Sequence, residues 1–155
     1  QLKKFTLTSK CFFVPVHHFD MQSLKCDAGA LMLFRRFMFH VATRIAKEEG
    51  AQALVLGDNL GQVASQTLSN IVSVDDATSL PVLRPVIGFD KEEIIAIAKK
   101  IGTYEDAIKE YKDCCSLVGG SPQTRSNPGR LRQWEVKLNL ENIIEKSLAE
   151  SEVVP

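Results

Sequence analysis

Cysteine is scarce in this chain of 155 residues: there are four, and no two stand as C-x-x-C. Cys11 and Cys26 are widely separated, while Cys114 and Cys115 are adjacent and poorly suited to an ordinary structural disulfide. With no signal-peptide pattern in front of them, reduced thiols in a cytoplasmic protein are the default reading. Neither sign of charge is in excess, with 19 Lys+Arg against 19 Asp+Glu. Net charge therefore names no nucleic-acid or membrane partner, and any such contact would need a local patch. The longest apolar stretch, residues 28–39, is interrupted by Arg35 and Arg36, which excludes a membrane-spanning helix. There is no internal repeat, no low-complexity tract, no P-loop and no dinucleotide fingerprint. A metal centre is poorly motivated as well, because His17 and His18 have no partner at ligand spacing and the cysteines are dispersed.

What is present is ordinary globular material, 45% hydrophobic and 25% charged, of a length that fits one domain. Residues 11–16 (CFFVPV) read as a buried strand, with His17, His18 and Asp20 just past its carboxyl end. A long helix is expected over 28–49. Leu31, Phe34, Met38, Val41 and Ile45 form its stripe, Phe37 and Phe39 widen it, and Gly50 stops it. Residues 53–56 (ALVL) run apolar into Gly57, as a central parallel strand does when helices cover both faces. Asp58 and Asn59 are expected to cap a helix over 61–73. Residues 74–87, with Pro81 and Pro85, read as a loop holding a short extended piece at Val82 and Leu83. Asp90 with Glu93 is a capping-box pattern that opens a helix ending at Gly102, with Ile94, Ile95, Ile97, Ala98 and Ile101 as its apolar face. Residues 119–130 read as a loop, and 131–148 as one amphipathic helix. Strands alternating with helices imply a Rossmann-like α/β fold, a parallel sheet flanked by helices, whose ligands bind beyond the strands' carboxyl ends.

Three constellations carry chemistry. In the turn 57–67 (GDNLGQVASQT), Gly57 lets a ligand approach the backbone, Asp58 supplies a carboxylate, and Gln66 can return toward the pocket. The bland alternative is a tight turn before a capped helix. Arg35 and Arg36 sit in the most apolar helix, where a guanidinium fork suits phosphate or carboxylate; alternatively one snorkels to water and the other pairs with a surface acid. Cys114 or Cys115 can act as a nucleophilic or sulfur-carrying thiolate, or simply as a small buried hydrophobe. Arg125, Arg130 and Arg132 with Trp134 can follow a phosphate backbone, although a solvated loop and a packed Trp134 are the commoner arrangement.

The runs ALVLGDNLGQVASQTLSN, LPVLRPVIGFDKEEIIAIAKKIGTYE and DCC resemble the tRNA 4-thiouridine synthetases (tRNA sulfurtransferases) in their catalytic ATP-pyrophosphatase domain. The resemblance covers residues 11–125, and the Arg35-Arg36 helix agrees with it. It implies an adenine nucleotide alpha hydrolase-like fold that uses ATP with magnesium to activate a tRNA uridine and replaces its oxygen with persulfide sulfur. On that resemblance Arg35, Gly57 and Gln66 fall on nucleotide-contacting positions, with Asp58 beside them. Cys114, or the adjacent Cys115, falls on the sulfur carrier. The implied partners are tRNA and a cysteine-desulfurase-type sulfur donor.

The family's Ser-Gly-Gly-x-Asp-Ser pyrophosphate loop has no counterpart in these 155 residues. The chain starts at Gln1, without Met, on what resembles the next part of the domain. Its expected organisation is a partial ATP-pyrophosphatase-like domain over 1–125, with the first strand and phosphate loop missing, and a diverged tail with a helix over 126–155. Either another chain then completes it, or the chain is a diverged stand-alone relative; a homo- or hetero-oligomer is among the expected partners. The competing expectations are a non-catalytic adenine-nucleotide-binding module and a structural subunit that completes a partner's sheet.

Overall fold

A computed structural model describes residues 2–5, 10–23, 29–61, 66–109 and 124–154. After a single 3-10 turn at Leu2–Phe5 come strand β1 (Cys11–Phe13), helix α1 (His17–Ser23) and the long helix α2 (Ala30–Glu48). Strand β2 (Leu54–Val55), helix α3 (Leu68–Asp75) and strand β3 (Val82–Leu83) form the next unit. Helices α4 (Lys91–Lys100), α5 (Tyr104–Ala107), α6 (Pro128–Leu138) and α7 (Leu140–Ala149) follow, and strand β4 (Glu152–Val154) ends the described chain.

Helix α2 is the hub, packing against α1, α3, α6, α7 and β2. Its apolar band is wider than one stripe: residues 32–37 are buried without a break, while Met38 turns outward. The phenylalanines account for much of the core. Phe19 of α1 lies 5.4 Å from Phe34 and 5.3 Å from Phe37, centroid to centroid, and all three are essentially buried. Rings at these separations gain orientation-dependent attraction beyond their burial. Ile143 and Ile144 of α7 and Leu131 and Leu138 of α6 close the other side.

Strands β2 and β3 are parallel, with Leu54 opposite Val82 and Val55 opposite Leu83. Pro81 cannot donate to this ladder, yet its carbonyl accepts from Leu54 N at 2.9 Å, so the proline costs no bond there. Leu54 is buried while Val55 is 66% exposed. Expected coverage on both faces is thus seen on one only among the described residues. Residues 11–16 differ further from expectation. Cys11–Phe13 pairs antiparallel with Glu152–Val154, and Phe13 is exposed. Its partner strand is at the far end of the chain, which no local pattern announces, and His17 and His18 open a helix rather than trail a strand.

The capping box of α4 forms in both directions: Glu93 N donates to Asp90 Oδ1 and Asp90 N to Glu93 Oε2, each at 2.8 Å. Its apolar face is only half covered, with Ile97 and Ile101 exposed. The single helix expected over 131–148 is two. Asn139 adopts a left-handed backbone at φ +50°, a conformation that asparagine tolerates better than most residues, and breaks the run. Helix α6 begins earlier than expected because Asn127 accepts from Arg130 N at 3.0 Å and Pro128 occupies the first helical turn.

Arg36 binds α2 to α3 and α6. Its Nε donates to Glu135 Oε1 at 2.6 Å, and its Nη1 donates to Ser73 O at 2.5 Å and to Asp76 Oδ2 at 3.0 Å. Asp76 also receives Arg132, and Glu135 lies 3.1 Å from His40 Nε2. Burial opposes the charge on Glu135, but the hydrogen bonds of His40 and Arg36 outweigh it and lower its pKa. Burial likewise opposes the Arg36 charge, and the two carboxylates overcome it.

A carboxylate with a lowered folded pKa contributes stability above its ordinary value and loses it as pH falls through the folded value. Urea unfolding followed across the acid range should therefore show stability falling below about pH 4.5, the ordinary value of Glu135. Glu135→Gln should flatten that slope. At neutral pH it should cost toward the lower end of the roughly 3–5 kcal/mol typical of a broken buried pair, since Arg36 keeps Asp76.

Candidate functional site

Beyond the carboxyl end of β2 the chain turns through Gly57, Asp58 and Asn59, and here the α2 and β3 elements converge. Arg35 Nη2 donates to both oxygens of Asp58, at 2.7 and 2.8 Å, with both side chains about 10% exposed. Arg84, just past β3, donates from Nε to Asp58 Oδ2 at 3.0 Å and with its two terminal nitrogens grips Asp75 at 3.0 and 2.5 Å. Burial disfavours the Arg84 charge, and the hydrogen bonds of Asp75 and Asp58 more than restore it. Two cations and two anions alternate beneath the turn, so the buried charge is locally balanced. Neither Arg35 nor Arg36 snorkels to water; each is buried and paired.

Asp58 and Asn59 do not cap the following helix. Thr67 does, accepting from Asn70 N at 3.3 Å, and α3 starts at Leu68 rather than near 61. Asp58 is occupied by its arginines. Asn59 is buried and donates from Nδ2 to Val86 O at 3.0 Å and to Phe89 O, while Leu60 N bonds Ile87 O at 2.9 Å. The turn is thereby laced to the RPVIGFD segment.

Gln66 returns to the turn as expected, but from the loop before α3 instead of from a helix face. Its Oε1 accepts from Asn59 N at 3.2 Å and its Nε2 reaches Asp58 Oδ1 at 3.4 Å. Gly61, with φ +79°, supplies the backbone reversal that this closure needs, and its N–H bonds Gln66 O at 3.2 Å. Gly57 is different. Its backbone is not left-handed, and a Cβ built on it would meet nothing within 4 Å among the described residues. Among the described residues nothing at this strand end requires glycine, as is also true of Gly88.

Arg35, Asp58, Gln66 and Gly57 are thus brought together. Among the described residues Arg35 uses only Nη2, leaving Nε and Nη1 for another acceptor. Cys114 and Cys115 lie outside the described residues. The chain that follows them reappears at Thr124, whose carbonyl accepts from Thr67 Oγ1 at 2.7 Å, one residue from Gln66. Ser126 N then donates to the fully buried Asn70 at 2.9 Å. Arg132 is engaged by Asp76, and Trp134 packs half-buried on the core with Lys137 Nζ 4.8 Å from its ring centroid. That pair follows the commoner alternative of a packed tryptophan. Sequence reading missed Arg84, whose only signal was its place in the RPVIGFD run, and gave Asn59 as a helix cap rather than as a tie to the backbone of that run.

An α/β chain with a parallel strand pair, a glycine at the strand end and an arginine-clamped turn behind it is of the Rossmann-like class. The family model described as thiamine biosynthesis protein (ThiI) matches residues 6–140, and the chain belongs to that family. A "Probable tRNA sulfurtransferase" of Nocardia farcinica is 42% identical over 153 residues, covering 96% of this chain and 37% of that protein. Another, of Thermus thermophilus, is 47% identical over 128 residues, 82% of this chain and 32% of that protein. The crystal structure of a 4-thiouridine synthetase–RNA complex with bound ATP superposes with a TM-score of 0.91 at 38% identity, over 99% of this chain and 41% of that one. The chain thus spans roughly a third to two fifths of the length of these relatives.

Because Arg35 and Arg84 both depend on Asp58, Asp58→Asn should be costly. A loss of about 3 kcal/mol in chemical unfolding is expected, since it weakens two buried pairs at once. A loss below about 0.5 kcal/mol, the size of an ordinary surface change, would contradict the clamp.

Proposed function

We propose that this chain supplies the nucleobase side of the nucleotide site, and the sulfur-carrying cysteine, of an ATP-dependent tRNA sulfurtransferase that makes 4-thiouridine. The observation that carries this reading is the open space over Gly57, framed by Gln66 and backed by Arg35. It lies in a chain whose fold superposes throughout on a synthetase with ATP bound. A glycine required by neither backbone nor neighbours is best explained by something that must come close.

In this reading Gly57 admits the base or ribose edge, Gln66 offers its amide from the closed turn, and Arg35 presents to a ligand oxygen the guanidinium nitrogens that no described residue engages. Asp58 and Arg84 are positioning residues, since their polar atoms face each other and Arg35. ATP, with magnesium, supplies the activation that turns a poorly leaving uridine oxygen into a displaceable one. The 155 residues contain no Ser-Gly-Gly-x-Asp-Ser run, so phosphate recognition would come from a segment outside this sequence. Cys114, with Cys115 as its neighbour, would carry the sulfur that a cysteine-desulfurase-type donor delivers. The tether of Thr124 to Thr67 supports this, because it ties the segment following the cysteine pair beside Gln66. A tRNA would be the macromolecular substrate. Among the described residues no helix is long and apolar enough to cross a membrane.

Calorimetric titration separates the parts of this reading. AMP should bind about as tightly as ATP with magnesium present, because the chain recognises the base side. Gly57→Ala should leave unfolding stability unchanged or raise it by up to about 1 kcal/mol, yet weaken AMP binding severalfold. If neither nucleotide binds, the structural-subunit reading takes its place. Where sulfur transfer to tRNA is reconstituted with the missing segments, Cys114→Ser should abolish it. Full transfer in both Cys114→Ser and Cys115→Ser proteins would remove the cysteine assignment.

A further inference from the structure

The amino-terminal turn of α1 and the residue that follows α7 meet at the surface, 132 residues apart in sequence. His18 Nε2 lies 2.9 Å from Glu150 Oε1, and His17 Nε2 lies 3.7 Å from Glu150 Oε2. The two imidazoles stand 3.9 Å apart, tilted by 40°. The three donor atoms all fall within 4.8 Å of one another. From these residues we propose that His17, His18 and Glu150 form a binding site for a first-row transition-metal dication of the zinc class.

One imidazole donating its Nε2–H accounts for the short His18–Glu150 contact. It does not account for a second imidazole converging on the same carboxylate from the neighbouring residue. A dication can accept the carboxylate and both neutral imidazole nitrogens together. The spacings agree: ligands at zinc distances of about 2.0–2.2 Å in tetrahedral geometry stand about 3.3 Å from each other. The two observed separations, which end on the two different oxygens of Glu150, bracket that value, and no donor pair exceeds 4.8 Å, so side-chain rotation would close the set. Two nitrogens and one oxygen favour zinc, copper, nickel or cobalt over magnesium or calcium, which select all-oxygen sites.

The backbone already holds these donors in place. Phe19 N and Asp20 N bond Val16 O at 2.9 and 3.1 Å, and the wholly buried Phe19 anchors α1 in the core. Glu150 N bonds Lys146 O at 3.1 Å, and β4 begins two residues later with Glu152 opposite Phe13. A bound ion would therefore staple α1 to the α7–β4 corner and reinforce the β1–β4 pairing. His17 and Glu150 are about half exposed, which leaves coordination positions open to water.

The test is calorimetric titration of the chelator-treated chain with zinc chloride, with magnesium chloride as the control cation. Cys11 is exposed and free and thiolates bind zinc, so the thiols are first alkylated with iodoacetamide. One zinc per chain, no magnesium binding, and a zinc-dependent rise in the thermal midpoint are expected. His17→Ala and Glu150→Gln, both at solvent-accessible positions, should each weaken zinc by at least about tenfold and abolish the midpoint rise while leaving the circular dichroism spectrum intact. His18→Ala should do the same. Zinc binding only in the millimolar range, or unchanged binding in the His17→Ala and Glu150→Gln proteins, would overturn the site. This outcome does not depend on nucleotide binding or sulfur transfer.

Discussion

Two adjacent arginines on one buried helix set the terms for the rest of this structure. A guanidinium taken out of water must be paired, or it costs several kcal/mol. Arg35 and Arg36 are successive residues of α2, so they leave the helix about 100° apart and cannot share a partner. Arg35 draws Asp58 and the turn after β2 onto one flank, while Arg36 draws Ser73, Asp76 and Glu135 onto another. The hydrophobic contacts of α2 would tolerate some sliding of their neighbours. Charge pairs with fixed fork geometry would not, and so they settle where the turn and the α3–α6 corner must sit.

Arg84 extends this logic to the sheet. Leaving the end of β3, it holds Asp58 and Asp75 together, and Asp75 is the last residue of α3. The turn is thus fixed from α2, from β3 and from the end of the following helix. Asn59 adds a fourth tie to the backbone at Val86 and Phe89. A binding site on such a turn starts organised, so less ordering has to accompany ligand binding. This also separates the roles of neighbouring residues. Asp58 has both carboxylate oxygens committed inward, whereas a Cβ at Gly57 would meet none of the described residues within 4 Å, so neighbours in one run stand in different surroundings.

What could be read from the sequence was whatever the chain decides locally. The Asp90–Glu93 capping box, the long α2 helix and its stop near Gly50, and the extended pair at Val82 and Leu83 all depend on residues within a turn or two of each other. The return of Gln66 to the turn was legible for the same reason, though the helix expected to deliver it begins only after Thr67. The readings that differed were those that depended on distant partners. Cys11–Phe13 looks like a buried strand until Glu152–Val154 takes its edge, and Asp58 looks like a helix cap until Arg35 and Arg84 claim it. Asn139 is an instructive intermediate: its local conformation splits α6 from α7, but amphipathic spacing runs on through it and hides the break.

The apolar run at residues 53–56 shows how sequence can describe more than one chain displays. Its pattern is that of a strand covered on both faces, and Leu54 is indeed buried against the α2 side. Val55, however, is 66% exposed, and Leu83, in register with it on β3, is 53% exposed. Among the described residues nothing rewards an apolar residue at either place, since each leaves apolar surface exposed at roughly 25 cal/mol per Å². A pattern that its own fold does not use is explained by surroundings wider than the described residues. The same reasoning applies to Gly57, whose freedom its own fold does not need. Residues whose type the described packing does not account for thus lie on both sides of the β2 strand end.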